Sequence, residues 1–211
     1  MSVLQCGRFR LDLSQPRVMA IINLTDDSFS GDGLRGDLAR ALARAERALE
    51  EGAEMLDIGA ESTRPGSDPV PEAQELERVV RFVEAARGWK VPLSIDTLKP
   101  TVMRAALAAG ADMINDINAF RASGAIEAVA AGESGLCVMH MLGQPRTMQQ
   151  DPRYADVVGE VTGFLDERVA ALVAAGVARE RIVLDPGFGF GKSVGHNYAL
   201  LRELARVGVG G

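Results

Sequence analysis

Apolar and polar positions alternate along this chain in two rhythms that trade places. Short apolar runs of strand length give way to longer runs whose apolar residues recur every third or fourth position. Ahead of that pattern, Val3 to Gln5 and Phe9 to Leu11 flank Cys6, Gly7 and Arg8, which predicts a short antiparallel hairpin.

The alternation starts after Pro16. Val18 to Ile22 is the first apolar run, and a polar loop separates it from a helix expected near Asp37, a good N-cap. Leu38, Leu42, Ala45 and Leu49 fall on one face of that helix, and Gly52 suits its end. The second run is Met55 to Ile58, and Pro71 fits the first turn of a helix reaching Arg87. The third is Val91 to Ile95, with Pro100 opening the next helix. The fourth is Met113–Ile114, with Ser123 placed to cap a short helix. Leu136 to Met139 precedes a helix from about Asp156 to Ala175, and Ile182 to Leu184 precedes one from about Asn197 to Val207.

Six strand–helix units in a row predict parallel strands, helices outside them and right-handed connections. A TIM (β/α)8 barrel and a doubly wound open sheet share this periodicity. Polar residues close almost every run: Asn23, Asp96, Asn115 with Asp116, His140 and Asp185. A barrel gathers its site from many strand ends, whereas an open sheet concentrates it at one switch point. The expected class is therefore α/β, a TIM (β/α)8 barrel preceded by a β-hairpin, in a single domain over residues 1–211. Only about six of the eight units fall in this chain, so the barrel is expected to lack its C-terminal part and to leave two strand edges unpaired.

Composition adjusts this picture only a little. The 211 residues suffice for one sizeable core. A net charge of -6 argues against a general nucleic-acid or anionic-membrane binder, while leaving room for a local cationic site. Cys6 and Cys137 lie far apart, which suggests neither a disulfide framework nor a zinc cluster and fits a reducing cytoplasm. The N-terminus lacks an apolar signal core, and no run is long enough to span a bilayer.

The candidate chemistry sits in the loops after the strands. Asn23 is followed by Leu-Thr-Asp-Asp-Ser-Phe-Ser, a set that can orient a hydrated Mg2+ or simply form a polar turn before a helix. Thr63 and Arg64, stiffened by Pro65 and Gly66, can meet a phosphate or carboxylate or form a solvated turn. Asp96 and Asp185 would be costly in a dry barrel mouth unless a ligand supplied N–H donors. The amino-pyrimidinone edge of a pterin is such a ligand, and the Asn115 amide complements a lactam.

DPGFGFGKS looks like a phosphate loop, but Pro186 stands where a glycine is required, so no nucleotide site is inferred. Its glycines instead let backbone approach a flat ligand, with Phe188 or Phe190 covering a ring. His140 has no second His or Cys at metal spacing and reads as a satisfied strand-end residue. Met139 and Met141 read as packing residues, and Asp57 as a buried, hydrogen-bonded barrel residue.

Taken in order, IINLTDDSFSGDG, GAESTRPGSDPV, SIDTLKP, INDIN, MHMLGQPRTMQ and LDPGFGFGKSVGHNYALL resemble the dihydropteroate synthase family along the whole chain. The resemblance implies a pterin-binding TIM barrel, Mg2+ dependence and a homodimer. It also implies the condensation of 6-hydroxymethyl-7,8-dihydropterin pyrophosphate with p-aminobenzoate to give dihydropteroate and pyrophosphate. By matching position, Asn23 would contact Mg2+, and Thr63, Asp96, Asn115 and Asp185 would hold the pterin substrate. Arg64, Pro65 and Phe190 would lie near p-aminobenzoate, with Phe29 on the first loop. Asn23, Asp96 and Asp185 would then carry the catalysis.

One departure falls in the first loop, where Asp26 stands in place of the family's usual Pro and adds a negative charge beside the pyrophosphate. Another is the absence of the two last units, which in the family bring further cationic groups to the leaving pyrophosphate. Two other readings compete with the synthase. A pterin-dependent methyltransferase explains Asp96, Asn115 and Asp185 but not the TDDSFS and STRPG loops, and a non-catalytic pterin-binding paralogue would account for Asp26.

Overall fold

Among the described residues, eight strands and six helices follow one another as the hairpin and the two rhythms predict. The computed structural model describes residues 3–24, 33–61, 69–145 and 147–207. β1 (Val3–Cys6) and β2 (Phe9–Asp12) form the hairpin, with Cys6 opposite Phe9 across the Gly7–Arg8 turn. Six parallel strands then stand side by side in chain order: β3 (Met19–Asn23), β4 (Met55–Gly59), β5 (Leu93–Asp96), β6 (Met113–Asp116), β7 (Gly135–Met139) and β8 (Ile182–Asp185).

The helices between them are α1 (Gly33–Glu50), α2 (Glu72–Ala86), α3 (Pro100–Ala109), α4 (Ala125–Val129) and α5 (Val157–Ala174), with α6 (Val194–Arg202) after β8. This is the α/β architecture of a TIM barrel, present here in part. No helix among the described residues is long and apolar enough to cross a membrane.

Side-chain direction alternates along each strand, so every strand serves two layers. Outward residues such as Ile22, Leu56, Ile58, Leu93, Ile95, Ile114, Leu136 and Val138 pack into one large core with Val79, Phe82, Met103, Val161 and Leu165 of the helices. Inward residues build the barrel interior in tiers. Met55, Met113 and Cys137 meet Leu4 and Cys6 of the hairpin at the N-terminal end of the strands. Polar residues follow in two levels, Asp57 with Ser94 and, nearer the C-terminal ends of the strands, Asp96 with Asn115. Ile117, Met139, Met141 and Met148, with Leu98 and Phe190, form an apolar rim above them.

The hairpin closes the floor through Asp112. Arg8 donates from Nε to Asp112 Oδ1 and from Nη2 to Oδ2, each at 2.9 Å, and Leu93 N donates to Oδ2 at 3.1 Å. Asp112 is buried, so this ordered pairing satisfies a charge that would otherwise be costly.

Three helices differ from expectation at their ends. α1 begins at Gly33, so Asp37 lies inside it rather than at its cap. The short α4 is entered through Gly124, with Ser123 making no cap hydrogen bond there. α6 begins at Val194, three residues before Asn197, because Ser193 and His196 exchange side-chain-to-backbone hydrogen bonds in a capping box; it ends at Arg202, with a 3-10 turn at Leu204–Arg206 beyond.

Candidate active site

Parallel register brings the strand ends into one row. Asn23 pairs with Gly59, Gly59 with Asp96, and Asp96 with Asn115, so all four face the same side of the sheet. Gly59 leaves a gap in that row: a Cβ there would lie 3.5 Å from Asp96 Oδ2 and 3.9 Å from Asn23 Oδ1. Asp185 stands one tier higher, in register with Met139. Four sequence-derived site residues, Asn23, Asp96, Asn115 and Asp185, thus converge on the C-terminal mouth of the barrel. Thr63, Arg64, Pro65, Phe29 and Asp26 lie outside the described residues.

The chemistry of this mouth is set by its acids. Among the described residues the Asp96 carboxylate meets no hydrogen-bond donor. Burial, with Asp57, Asp116, Glu75 and Glu61 nearby, holds it well above the usual carboxylate range. Asp185 is also raised by burial, offset by Gly187 N, which donates to Oδ1 at 2.7 Å, and by the Lys192 charge. Asp57 is raised by burial too. It lies beneath the site, accepting from Ser94 Oγ at 2.6 Å and from Asn115 Nδ2 at 3.0 Å. Asn115 Oδ1 is buried without a partner. The site thus offers acceptors in excess of donors, which suits a ligand edge rich in N–H groups.

Asp116 does not join this group. It turns outward and accepts from Asn118 N and Phe120 N, both at 2.7 Å, holding a turn in which Ala119 and Phe120 take φ of 55° and 56°. Arg168 of α5 supports the same turn by donating to Ala119 O and Phe120 O.

The two phenylalanines of GFGFG separate. Phe190 joins the methionine rim over the site, whereas Phe188 is 40% exposed and faces Val194, Tyr198 and Leu201 of α6. Gly187 and Gly191 hold this loop close to β7. Both have positive φ, and a Cβ would come within 2.0 Å of His140 O at the first and 2.7 Å of Leu142 Cβ at the second. His140 is buried against Phe164, and burial together with Lys192 lowers its pKa to about 4. It is the satisfied strand-end histidine that its isolation in the sequence suggests.

Two groups escape a reading by motif. Lys99 donates to Glu61 Oε2 and Glu75 Oε2, both at 2.5 Å, and to Val70 O at 2.7 Å, beside the Asp96 pocket. Thr97 Oγ1 completes the cluster by donating to Glu75 Oε1. A signal for it exists in α2, where Glu75 stands four residues before Val79 on the buried face. The second group is Lys192, whose buried ammonium meets only neutral groups.

A magnesium ion asks for hard oxygen ligands and keeps water and substrate oxygens around itself. Asn23 offers one such oxygen beside the open space at Gly59, which fits that demand. Among the described residues no cluster of three or more His, Cys, Asp or Glu side chains forms a self-sufficient metal cage.

Residues 19–209 match the family described as pterin-binding enzyme. A dihydropteroate synthase of Neisseria meningitidis is 50% identical over 210 residues, covering 97% of this chain and 74% of that protein. The solved dihydropteroate synthase of Burkholderia cenocepacia complexed with 7,8-dihydropteroate superposes with a TM-score of 0.88 at 58% identity, covering 98% of this chain and 71% of the other. That of Xanthomonas albilineans with 4-aminobenzoic acid gives 0.89 at 48% identity, covering 98% and 74%. Two aspartates and an asparagine converging on the mouth of a partial barrel accompany sequence identity of this depth, and the chain belongs to the pterin-binding enzymes as a member of the dihydropteroate synthase family.

Proposed function

We propose that this protein joins 6-hydroxymethyl-7,8-dihydropterin pyrophosphate to p-aminobenzoate, giving 7,8-dihydropteroate and pyrophosphate. The observation that carries the reading is the acceptor-rich mouth formed by Asp96, Asn115 and Asp185, in a chain 58% identical to a synthase solved with dihydropteroate. Asp96 and Asp185 accept N–H groups of the pterin ring, and Asn115 reads a further polar edge. Drawn to their charged form by those N–H groups, the two carboxylates stabilise the electron-poor methylene as the C–O bond to pyrophosphate breaks. The aromatic amine forms the new C–N bond at that carbon, and the nitrogen passes its surplus proton to solvent water as pyrophosphate departs. Its nitrogen needs no strong protein base, so positioning does most of the work.

Phe190, Arg64 and Pro65 are assigned to the p-aminobenzoate side, Thr63 to the pterin substrate and Phe29 to the first loop over the site. Mg2+ is the proposed metal, held by Asn23 with substrate oxygens and water. When bound, it supplies positive charge that offsets the leaving pyrophosphate. We place the protein in the cytoplasm, as a homodimeric enzyme of folate biosynthesis built on a single barrel domain. Incubation with both substrates, Mg2+ and labelled p-aminobenzoate is expected to yield labelled dihydropteroate. A preparation that binds pterin yet forms no product in the presence of Mg2+ would contradict the reading.

A further inference from the structure

Lys192 is 3% exposed, and its ammonium has no carboxylate within salt-bridge reach among the described residues. It donates to Gly187 O at 2.9 Å, Phe190 O at 3.0 Å and His140 O at 3.2 Å, and meets His140 Nδ1 at 3.0 Å. Burying a lysine is costly, and three carbonyl dipoles are a smaller compensation than a carboxylate. Such an arrangement makes sense where the lysine fixes a shape.

The shape is that of the loop between β8 and α6. Two of the carbonyls belong to that loop and one to the end of β7, so a single charge ties the loop to the neighbouring strand. The loop carries Phe190 into the rim of the site, and its Gly187 N donates to Asp185. Tyr154 reinforces it from outside by donating to Gly191 O at 2.8 Å.

We propose that Lys192 is a positioning residue for the ring pocket: by gathering the carbonyls of His140, Gly187 and Phe190 it holds Phe190 and Asp185 in their binding geometry. The proposal rests on the functional reading above. It also gives a use to the GKS segment of a loop that fails as a phosphate binder, because the lysine points inward to backbone rather than outward to a ligand.

The charge environment makes this clamp sensitive to protons. Burial lowers the Lys192 pKa to about 8, with Asp185 of β8 opposing that shift. His140 at the end of β7 stays neutral near physiological pH, with Arg121 and Glu160 acting on it in opposite directions, and Tyr154 and His196 meet edge to face nearby at 4.9 Å between ring centres. Loss of the lysine proton leaves fewer donors than the loop has acceptors.

The test is Lys192→Met, which keeps the stem and removes the charge. Hydrogen exchange at the amides of Gly187 and Phe190 is expected to accelerate. Affinity for 6-hydroxymethyl-7,8-dihydropterin pyrophosphate, measured by calorimetry, is expected to fall about tenfold or more. Wild-type affinity should decline as pH rises through about 8, and the variant should lack that step. A wild-type profile without the step overturns the proposal and requires no folded variant. So does a folded Lys192→Met protein that binds pterin like wild type. Wild-type protein that binds no pterin, while its loop amides still respond to Lys192→Met, would instead refute the functional reading.

Discussion

Asn115 gives an amide hydrogen to Asp57 Oδ2 at 3.0 Å, across the strand that separates β6 from β4. Ser94 of that intervening strand donates to the other oxygen of the same carboxylate, so one buried acid links three strands below the candidate site. Asp57→Ala removes the acceptor and leaves both donors unpaired. Urea denaturation is expected to show a loss of about 2 kcal/mol, and Asp57→Asn, which keeps one acceptor, a smaller loss. An alanine variant as stable as wild type would show that the link is dispensable.

Asp96 sets stability against function. Its carboxyl is raised well above the ordinary range, because burial and neighbouring acids disfavour its charge. The stability it contributes is complete below the unfolded value, about 4, and is lost as pH rises through the raised folded value. Asp96→Asn should therefore stabilise the ligand-free protein at pH 7 by roughly 1–3 kcal/mol, with the gain shrinking on acidification. The same variant should bind pterin about tenfold more weakly or worse. Thermal melts between pH 5 and 8, paired with calorimetry, check both halves.

The floor of the barrel depends on Asp112. Its carboxylate accepts from Arg8 and from Leu93 N, and its own side chain is almost fully buried. Asp112→Ala is expected to cost about 3 kcal/mol or more in chemical denaturation. Arg8→Ala should cost less, since Arg8 is half exposed and Leu93 N still serves the acid. Equal losses for the two variants would mean that the ion pair, rather than the buried acid, dominates.

The two phenylalanines of one loop should respond differently. Phe190→Ala opens the rim over the site and is expected to raise the Michaelis constant for p-aminobenzoate about tenfold or more. Phe188 faces α6 and solvent, so Phe188→Ala should leave both Michaelis constants within about twofold. Steady-state kinetics of the pair separates the roles, and a larger effect at Phe188 would reverse the assignment.

Much of this organisation is legible in the sequence. Short apolar runs and their polar closing residues locate β3 to β8 and bring out Asn23, Asp96, Asn115 and Asp185, because parallel register turns equivalent strand positions into spatial neighbours. What escapes is long-range. Lys99 finds Glu61 and Glu75 on separate elements, 38 and 24 residues away, and no local spacing encodes that meeting. Lys192 hides inside a failed motif, since spacing says nothing about whether a lysine points out or in. Asp116 and Asn115 look alike as neighbours at one strand end. Strand pleat sends one into the site and the other out to cap a turn. Helix starts slip for a similar reason: Ser193 closes its box with a histidine, where a glutamate or glutamine is the readable partner.

The hairpin beneath the barrel has a consequence for the two thiols. Cys6 of the hairpin and Cys137 of β7 sit in the same apolar floor, both free and both buried. Burial pushes the Cys6 thiol up to about 12, and Cys137 is raised for the same reason. Alkylating reagents attack thiolate, so the folded floor keeps both sulfurs silent. Each labelling event then requires the floor to open, and the chain carries, unmodified, its own chemical clock for the opening of its base.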